Sequence, residues 1–307
     1  MREFDLLRKV YEANEALGER VTLPPGDDMG AVRLLGGSNV LLAVDQLVAG
    51  RHYDPDLVTM RQAGRKAIAR SASDIAAMAA RPSASLAAVV LPKGLAESDA
   101  LELFDGMREA AGEFGCPLMG GDLAEHGSAD HPLACGITVM AEPGPAGMIG
   151  RGGARVGDGV YVTGELGGSF DEKGLGHHLT FTPRIREAIA LAERLGDHLH
   201  AMIDISDGLG RDASHIAAMS GVRIEIEASA IPCRAGSSWE DAVTDGEDYE
   251  LLFTSDIEPP KAALGTPVRR IGTVVERSND EGESGKVIVA EGDHRTAVDE
   301  RGWQHGS

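Results

Sequence analysis

The amino-acid sequence predicts a mixed α/β protein built from two domains. Segments with helix-like and strand-like patterns alternate along the whole chain. The 307 residues exceed the usual size of a single hydrophobic core, which favours two domains. The stretch 143–160 is the richest in Gly and Pro, as expected of a connection between domains. We therefore expect one domain at 1–148 and a second at 149–307.

The first domain shows alternating strand and helix patterns after an N-terminal helix. The run NVLLAVDQLV is apolar and β-prone, and the longer run from 57 to 80 is an Ala-rich helix that ends before Arg81 and Pro82. The expected elements are helix 2–17, strand 39–48, helix 57–80, strand 85–92, helix 97–115 and strand 133–142. The Pro- and Gly-rich segments LPPGDDMG and PLMGGD are expected to be loops and turns.

The second domain continues the same mixture of strands and helices. Its expected elements are strand 159–166, helix 183–195, strand 201–206, a helix from Gly208, strand 222–229 and a sheet that ends near 275. The segment 276–307 is polar and Gly-rich, and we expect it to be a tail that carries the lone Trp303.

The charge of the chain argues against two classes of partner. Lys and Arg total 29 against 49 Asp and Glu, a formal net charge of −20, so nucleic acid and anionic membranes would be repelled. Three separated cysteines without a CxxC pair suit a reducing compartment. The start MREFDLLRKV is typical of an amphipathic helix rather than a signal peptide, and no apolar run is long enough for a bilayer. We expect a cytoplasmic protein.

Clustered carboxylates mark one junction between a strand and a helix. The stretch AMIDISDGLGRDASHIAAM, residues 201–219, contains Asp204, Asp207 and Asp212 with no Lys nearby. One carboxylate is enough to cap a helix. The others are therefore either solvated or close to a cation.

Other acidic residues also stand at the ends of elements. Each has an ordinary explanation on its own, as a cap, a turn residue or a solvated side chain: Asp27, Asp28, Asp74, Asp122, Asp245, Glu247 and Asp248. Asp45 differs, because it ends an apolar run and a buried carboxylate needs a partner. Mg²⁺ is held by several carboxylates together with substrate phosphates, and Gly-rich turns offer backbone N–H groups to phosphate. The chain has no GxxxxGK[ST] loop and no HRD or DFG motif, which excludes the P-loop and protein-kinase solutions.

Seven blocks of sequence carry a resemblance that spans nearly the whole chain. They are GDDMGAV (26–32), VDQLVAGRHY (44–53), SDIAAMAARP (73–82), MGGD (119–122), RGGARVGDGVYVTG (151–164), IDISDGLGRDASHI (203–216) and GEDYELLFT (246–254). Together with GWQH at 302–305 they resemble the thiamine-monophosphate kinase family, of the aminoimidazole ribonucleotide synthetase and selenophosphate synthetase superfamily. The resemblance implies a two-domain fold in which the N-terminal half forms a homodimer through its sheet and ATP lies in a groove between half-domains.

The resemblance also implies an activity and a set of site residues. The expected reaction is in-line transfer of the γ-phosphoryl group of ATP to thiamine monophosphate, with no residue acting as acid, base or nucleophile. Several Mg²⁺ ions would be held by residues matching Asp28, Asp45, Asp74, Asp122, Asp204 and Asp207. ATP would contact Gly121, Asp122, Arg151 and Ser206. The substrate would contact His52, Glu247 and Trp303.

The chain departs from the family pattern at several positions. Ala43 and Val44 replace the usual hydroxyl residues before Asp45, and the segment 165–182 is shorter and lacks the family's helix. Without the resemblance, His52 could be packed in a loop, Arg151 could be a surface residue and Trp303 could pin the tail. Two other functions stay open: a different ATP-dependent enzyme of the superfamily, or a non-catalytic nucleotide- or metal-binding relative.

Overall fold

The computed structural model describes residues 3–12, 17–260, 265–277 and 286–303. The helices in these ranges are α1 Glu3–Glu12, α2 Met60–Ala77, α3 Glu97–Glu113, α4 His177–Thr180, α5 Ile185–Leu195, α6 Leu209–Ser220 and α7 Trp239–Thr244. The strands are β1 Val21–Leu23, β2 Gly30–Arg33, β3 Asn39–Val48, β4 Arg81–Leu91, β5 Leu118–Glu125, β6 Ala134–Glu142, β7 Gly159–Thr163, β8 Leu199–Asp204, β9 Arg223–Glu227, β10 Leu251–Ser255, β11 Val268–Val275, β12 Val287–Glu291 and β13 His294–Ala297. The expected mixed α/β architecture is confirmed. Among the described helices, none is both long and apolar enough to cross a membrane.

The first sheet has six strands in the order β1-β2-β3-β6-β4-β5. Its pairs are antiparallel except β4 and β5, which run parallel and are connected through α3. Helices α2 and α3 pack on one face, where Leu41, Leu47 and Ile137 are buried. On the other face Leu42 and Val44 are 42% and 68% exposed. One side of this sheet is therefore an open surface with apolar side chains.

Helix α2 is the central element, because it contacts both halves of the protein. It begins with a capping box in which the side chains of Thr59 and Gln62 each accept a hydrogen bond from the other residue's backbone N–H. It lies against α3 almost backbone to backbone, since a Cβ atom on Gly106 would fall 2.1 Å from the carbonyl oxygen of Arg61. This close packing fixes the position of Asp74, which α2 carries near its C-terminal end.

The second sheet has seven strands in the order β13-β12-β9-β11-β7-β10-β8. Among its described strands, only β12 and β9 run parallel. Alternation along β7 divides its side chains between two cores: Val160 and Val162 pack with α6 and α7, and Tyr161 packs with α2 and α5. The sheet is thus covered on both faces, and its α2 side joins the core of the first domain.

Some local expectations are wrong. Residues 118–125, expected to hold a turn, form edge strand β5, in which Gly121 approaches β4 so closely that a Cβ atom would lie 1.7 Å from the carbonyl oxygen of Ala87. The expected tail contains β12 and β13, because Val287 and Val289 are buried at alternate positions. Strands β1 and β2 and the short helices α4 and α7 were also not anticipated. The boundary between 148 and 149 falls between β6 and β7 and stays a prediction.

Candidate active site

A cleft of about 260 Å³ between the two halves of the chain gathers most of the expected site residues. The expected residues that line it are Asp28, Asp45, His52, Asp74, Arg151, Asp204, Ser206, Asp207, Glu247 and Trp303. Gly121 and Asp122 lie elsewhere, on exposed edge strand β5. Asp122 pairs with Ala88 of β4, so its side chain shares the open face of the first sheet.

Three carboxylates form the most acidic part of the cleft. Asp28 precedes β2, Asp74 lies on α2 and Asp204 ends β8, and each offers a carboxylate oxygen within 4.8 Å of the others. Burial, which has the larger effect, and the negative charge of Asp204 together raise the pKa of Asp74 well above its usual range. Burial and the charge of Asp28 raise the pKa of Asp204 to about 7, although the Ser73 hydroxyl donates a 2.6 Å hydrogen bond to it. Oxygen ligands crowded in this way fit a hard divalent cation.

Arg151 lies at one side of these carboxylates. Its Nη2 and Nε atoms are 2.6 and 3.3 Å from the two oxygens of Asp28, and its backbone N–H donates to Asp27. One guanidinium thus faces several acidic groups. The local charge remains negative.

The loop between β8 and α6 is shaped by Asp212. Its carboxylate accepts hydrogen bonds from the backbone N–H groups of Ser206 and Asp207, both at 3.0 Å. Burial, and then the charge of Asp207, raises the pKa of Asp212 well above its usual range. The acidic stretch noted in the sequence is therefore divided in role: Asp204 and Asp207 line the cleft, and Asp212 supports the loop.

Glu247 reaches the cleft from a strained backbone. Its φ angle is +57°, which is uncommon outside Gly, and its N–H donates to the carbonyl oxygen of Ser206 at 2.7 Å. The preceding Gly246 lets the two loops approach, since a Cβ atom there would lie 2.6 Å from that same oxygen. The Glu247 carboxylate contacts Lys66 Nζ at 2.6 Å and Arg70 Nη1 at 2.8 Å.

Arg70 joins Glu247 to Asp45. Its Nε and Nη2 atoms lie 2.9 and 3.3 Å from the two oxygens of Asp45. Burial would raise the pKa of Asp45, but the Arg70 guanidinium outweighs it and the pKa is lowered. Here the carboxylate charges meet positive charges of equal number, from Arg70 and Lys66.

Lys66 is fully buried beneath the cleft. Besides Glu247, its Nζ lies 2.7 Å from the carbonyl oxygen of His52 and 2.7 Å from Nδ1 of His178. Burial lowers the pKa of Lys66 to about 8, although the charge of Glu247 opposes this shift. The ring of His178 stacks on Phe170, which lines the cleft, with centroids 4.1 Å apart. The short segment 165–182 thus contributes an aromatic wall and a partner for Lys66.

His52 and Trp303 occupy the remaining wall of the cleft. His52 is buried, its Nδ1 accepts the backbone N–H of Val48 at 2.8 Å, and burial together with Arg70 lowers its pKa to about 4. The guanidinium of Arg51 lies 4.2 Å from the centroid of the Trp303 ring, and the backbone N–H of Trp303 donates to the carbonyl oxygen of Asp207. The last residues of the GWQH block, 304 and 305, lie outside the described residues.

Known proteins resemble this chain over both halves. The family described as AIR synthase related protein, N-terminal domain, matches residues 26–142, and the corresponding C-terminal domain matches 149–290. A thiamine-monophosphate kinase from Rhodopirellula baltica is 35% identical over 250 residues, which cover 76% of this chain and 75% of that protein. One from Aquifex aeolicus is 30% identical and covers 98% of this chain and 96% of its own. The chain belongs to the thiamine-monophosphate kinase family.

A solved structure of the same family agrees over the full length. AaThiL complexed with AMPPCP and TMP has a TM-score of 0.79 and 28% identity, and covers 99% of this chain and 97% of its own. The fold expected from the thiamine-monophosphate kinase resemblance is therefore confirmed, with two sheets in two AIR-synthase-type domains.

Several cleft residues escaped the sequence reasoning. Lys66 and Arg70 were missed, although they stand eight and four residues before Asp74 on α2 and hence on the same helix face. That spacing was a usable signal. Arg51, next to His52, was visible within the VAGRHY block of the thiamine-monophosphate kinase pattern. Phe170 carried no signal, because its place depends on how the segment 165–182 folds back onto α2.

Proposed function

We propose that this member of the thiamine-monophosphate kinase family transfers the γ-phosphoryl group of ATP to thiamine monophosphate, giving ADP and thiamine diphosphate. The observation that carries the proposal is the convergence of nearly all expected metal, nucleotide and substrate residues in one cleft. They come from segments between 28 and 303, so only the folded chain brings them together. AaThiL, which matches over 97% of its length, has been solved with AMPPCP and TMP.

Mg²⁺ is the metal that this cleft suits best. Asp28, Asp74 and Asp204 provide three oxygen ligands within reach of one ion, and Asp207 lines the same cleft. Burial, followed by the charges of neighbouring carboxylates, raises the pKa values of Asp74 and Asp204, so a cation beside them would offset the cost of their ionisation. When bound, Mg²⁺ would neutralise charge on the polyphosphate.

The side chains of the cleft orient two anions toward each other. Arg151 presents a guanidinium whose geometry suits phosphate oxygens. The backbone N–H of Ser206 is engaged by Asp212, so its contribution to ATP comes through the hydroxyl. An oxygen of the thiamine-monophosphate phosphate forms the new bond to the γ-phosphorus, and the bond from that phosphorus to the β,γ-bridging oxygen breaks. The acceptor is already an anion, so no general base is needed.

The substrate end of the cleft combines aromatic and charged groups. Trp303 offers a ring face to the cationic thiazolium, as it already does to Arg51. His52 is neutral at pH 7, since its pKa is about 4, and can therefore contact a phosphate or pyrimidine only as a hydrogen-bonding group. Ion pairs with Lys66 and Arg70 hold the Glu247 carboxylate in place at the same end of the cleft as Trp303 and His52.

We further propose that two copies pack through the open face of the first sheet. Val44, Leu42 and Leu86 on that face are 68%, 42% and 44% exposed, and Asp122 lies on the same face. Such packing would bring Gly121 and Asp122 of one copy toward the nucleotide site of the other. Their position on β5 would then agree with the ATP contacts that the resemblance implies. A cytoplasmic location completes the proposal and suits three free cysteines.

The dimer proposal is tested by light scattering on Val44→Lys and on Leu101→Lys, an exposed control on α3. Only the first should yield monomers. A wild-type protein that is monomeric at micromolar concentration would refute the proposal.

The activity is tested by incubating the full chain with ATP and Mg²⁺ and following thiamine diphosphate and ADP. Both should form with thiamine monophosphate and in equal amounts, and neither should form with unphosphorylated thiamine. Asp204→Asn should reduce turnover at least 100-fold. ATP consumption with another phosphate acceptor from a panel would favour a different enzyme of the superfamily, and nucleotide binding without turnover would favour a non-catalytic relative.

A further inference from the structure

The two acidic corners of the cleft differ in charge balance. At Asp28, Asp74 and Asp204 three carboxylates converge, and Arg151 is the only cation that contacts them among the described residues. At Asp45 and Glu247 two carboxylates meet Arg70 and Lys66. One corner is therefore compensated by the chain itself, and the other is not.

Asp45 has the surroundings of an ion-pair partner rather than of a metal ligand. Arg70 engages both of its carboxylate oxygens, at 2.9 and 3.3 Å. The residues before it, Ala43 and Val44, offer no side-chain oxygen to a cation. Asp45 also lies outside the group of carboxylates whose oxygens are within 4.8 Å of one another.

We propose that Arg70 is a built-in cation that takes the place of a metal ion beside Asp45. The Mg²⁺ ions then bind at Asp28, Asp74 and Asp204, and Asp45 is not one of their ligands. This inference rests on the proposed Mg²⁺-dependent phosphoryl transfer and deepens it. It replaces the prediction that Asp45 holds metal.

The contacts of the Arg70 side chain hold it in place beside Asp45. Its side chain is only 12% exposed, and its third contact, from Nη1 to Glu247 at 2.8 Å, ties it to the far wall of the cleft. Lys66 holds the other oxygen of Glu247. A divalent ion at Asp45 would have to displace a guanidinium from two carboxylates and leave it beside the buried ammonium of Lys66. Arg151 does not exclude a metal ion in this way. The acidic groups around Asp28 outnumber its single positive charge, so carboxylate oxygens remain for a cation.

Arg70 is accordingly a positioning residue. It fixes Glu247 in the same place with and without metal, so the substrate side of the cleft is formed before Mg²⁺ arrives. A metal ion at Asp45 would instead couple the placement of Glu247 to metal binding.

The test counts Mn²⁺ ions bound to the full chain in the presence of AMPPCP, by electron paramagnetic resonance titration. Asp45→Asn should bind as many ions as wild type, whereas Asp204→Asn, the matched control, should bind at least one fewer. Arg70→Met should bind one additional ion, and the double variant with Asp45→Asn should lose it again. Loss of an ion from Asp45→Asn alone, or no gain in Arg70→Met, would overturn the inference.

Melting temperatures at pH 7.5 without metal give an independent readout. Asp45→Asn breaks an ion pair and should lower the melting temperature, whereas Asp204→Asn relieves repulsion and should raise it. A rise for Asp45→Asn would place it in the repulsive cluster and refute the role of Arg70. Absence of turnover with thiamine monophosphate would refute the proposed function, while the ion counts and melting shifts still decide the role of Arg70.

Discussion

The substitution Asp204→Asn should stabilise the metal-free protein at neutral pH and weaken the site's response to metal. Asp204 is 4% exposed and lies beside Asp28 and Asp74, and its pKa is raised to about 7. In the unfolded chain an Asp carboxyl ionises near its usual 3.8. Between these two pH values the folded state retains a proton that the unfolded state has released. The free energy of unfolding therefore falls as pH rises through this window.

The size of the effect follows from the same pKa values. A rise from 3.8 to about 7 corresponds to a penalty of about 4 kcal/mol at any pH above 7. Below pH 3.8 the carboxyl is protonated in both states and the penalty disappears. Asn is neutral throughout, and its side-chain oxygen can still accept the hydrogen bond from Ser73. The variant should match wild type near pH 4 and exceed it by up to about 4 kcal/mol at pH 7.5.

The assay is urea unfolding at pH 4 and pH 7.5 in the presence of a chelator. A matched control is Asp130→Asn, which removes an exposed carboxylate in the loop between β5 and β6 and should change little at either pH. Added Mg²⁺ with AMPPCP should then stabilise wild type more than Asp204→Asn. A variant that is no more stable than wild type at pH 7.5 would refute the argument that the ionised carboxylate of Asp204 destabilises the folded protein.

Two further substitutions test the substrate wall and the packing. Trp303→Ala should raise the KM for thiamine monophosphate several-fold with little change for ATP, since contact of a cation with an aromatic face contributes about 0.5–2 kcal/mol; a lower melting temperature with both KM values unchanged would assign Trp303 to anchoring the chain end. Gly106→Ala should reduce the free energy of unfolding by about 1–3 kcal/mol because its methyl group meets the Arg61 carbonyl. Gly112→Ala on the same helix, with open space around it, should instead raise the free energy of unfolding by about 0.5–1 kcal/mol, and equal effects of the two alanines in chemical denaturation would contradict the close packing of α2 and α3.

The sequence was most informative where a long segment carries one clear period. The Ala-rich helix α2, the apolar strand β3 and the strand-to-helix junction at Asp204 all appear close to their expected places. The predictions for short elements were wrong for physical reasons. Gly121 reads as a turn residue in isolation, yet it sits in β5 because only Gly allows that approach to β4. Strand β12 is apolar but only five residues long, it lies in an otherwise polar and Gly-rich segment, and it pairs with the distant strand β9, which no local pattern specifies.

For the site, sequence blocks predicted which residues meet but not how their charges pair. The carboxylates could be named because the resemblance covers them, and the structure brings Asp28, Asp74 and Asp204 together. The ion pairs of Arg70 depend on contacts across 25 and 177 positions of the chain, which no local pattern specifies. The same holds for Lys66, whose contact with His178 depends on the fold of the segment 165–182.

The division of charge within the cleft links stability to function. Asp45 and Glu247 are neutralised by Arg70 and Lys66, so their corner contributes to a folded state that exists before any ligand binds. Asp74 and Asp204 are crowded and uncompensated, so their corner costs stability until cations arrive. Relief of that cost on binding adds to the affinity for metal and polyphosphate together. A chain that neutralised both corners would be more stable and would bind magnesium nucleotide more weakly.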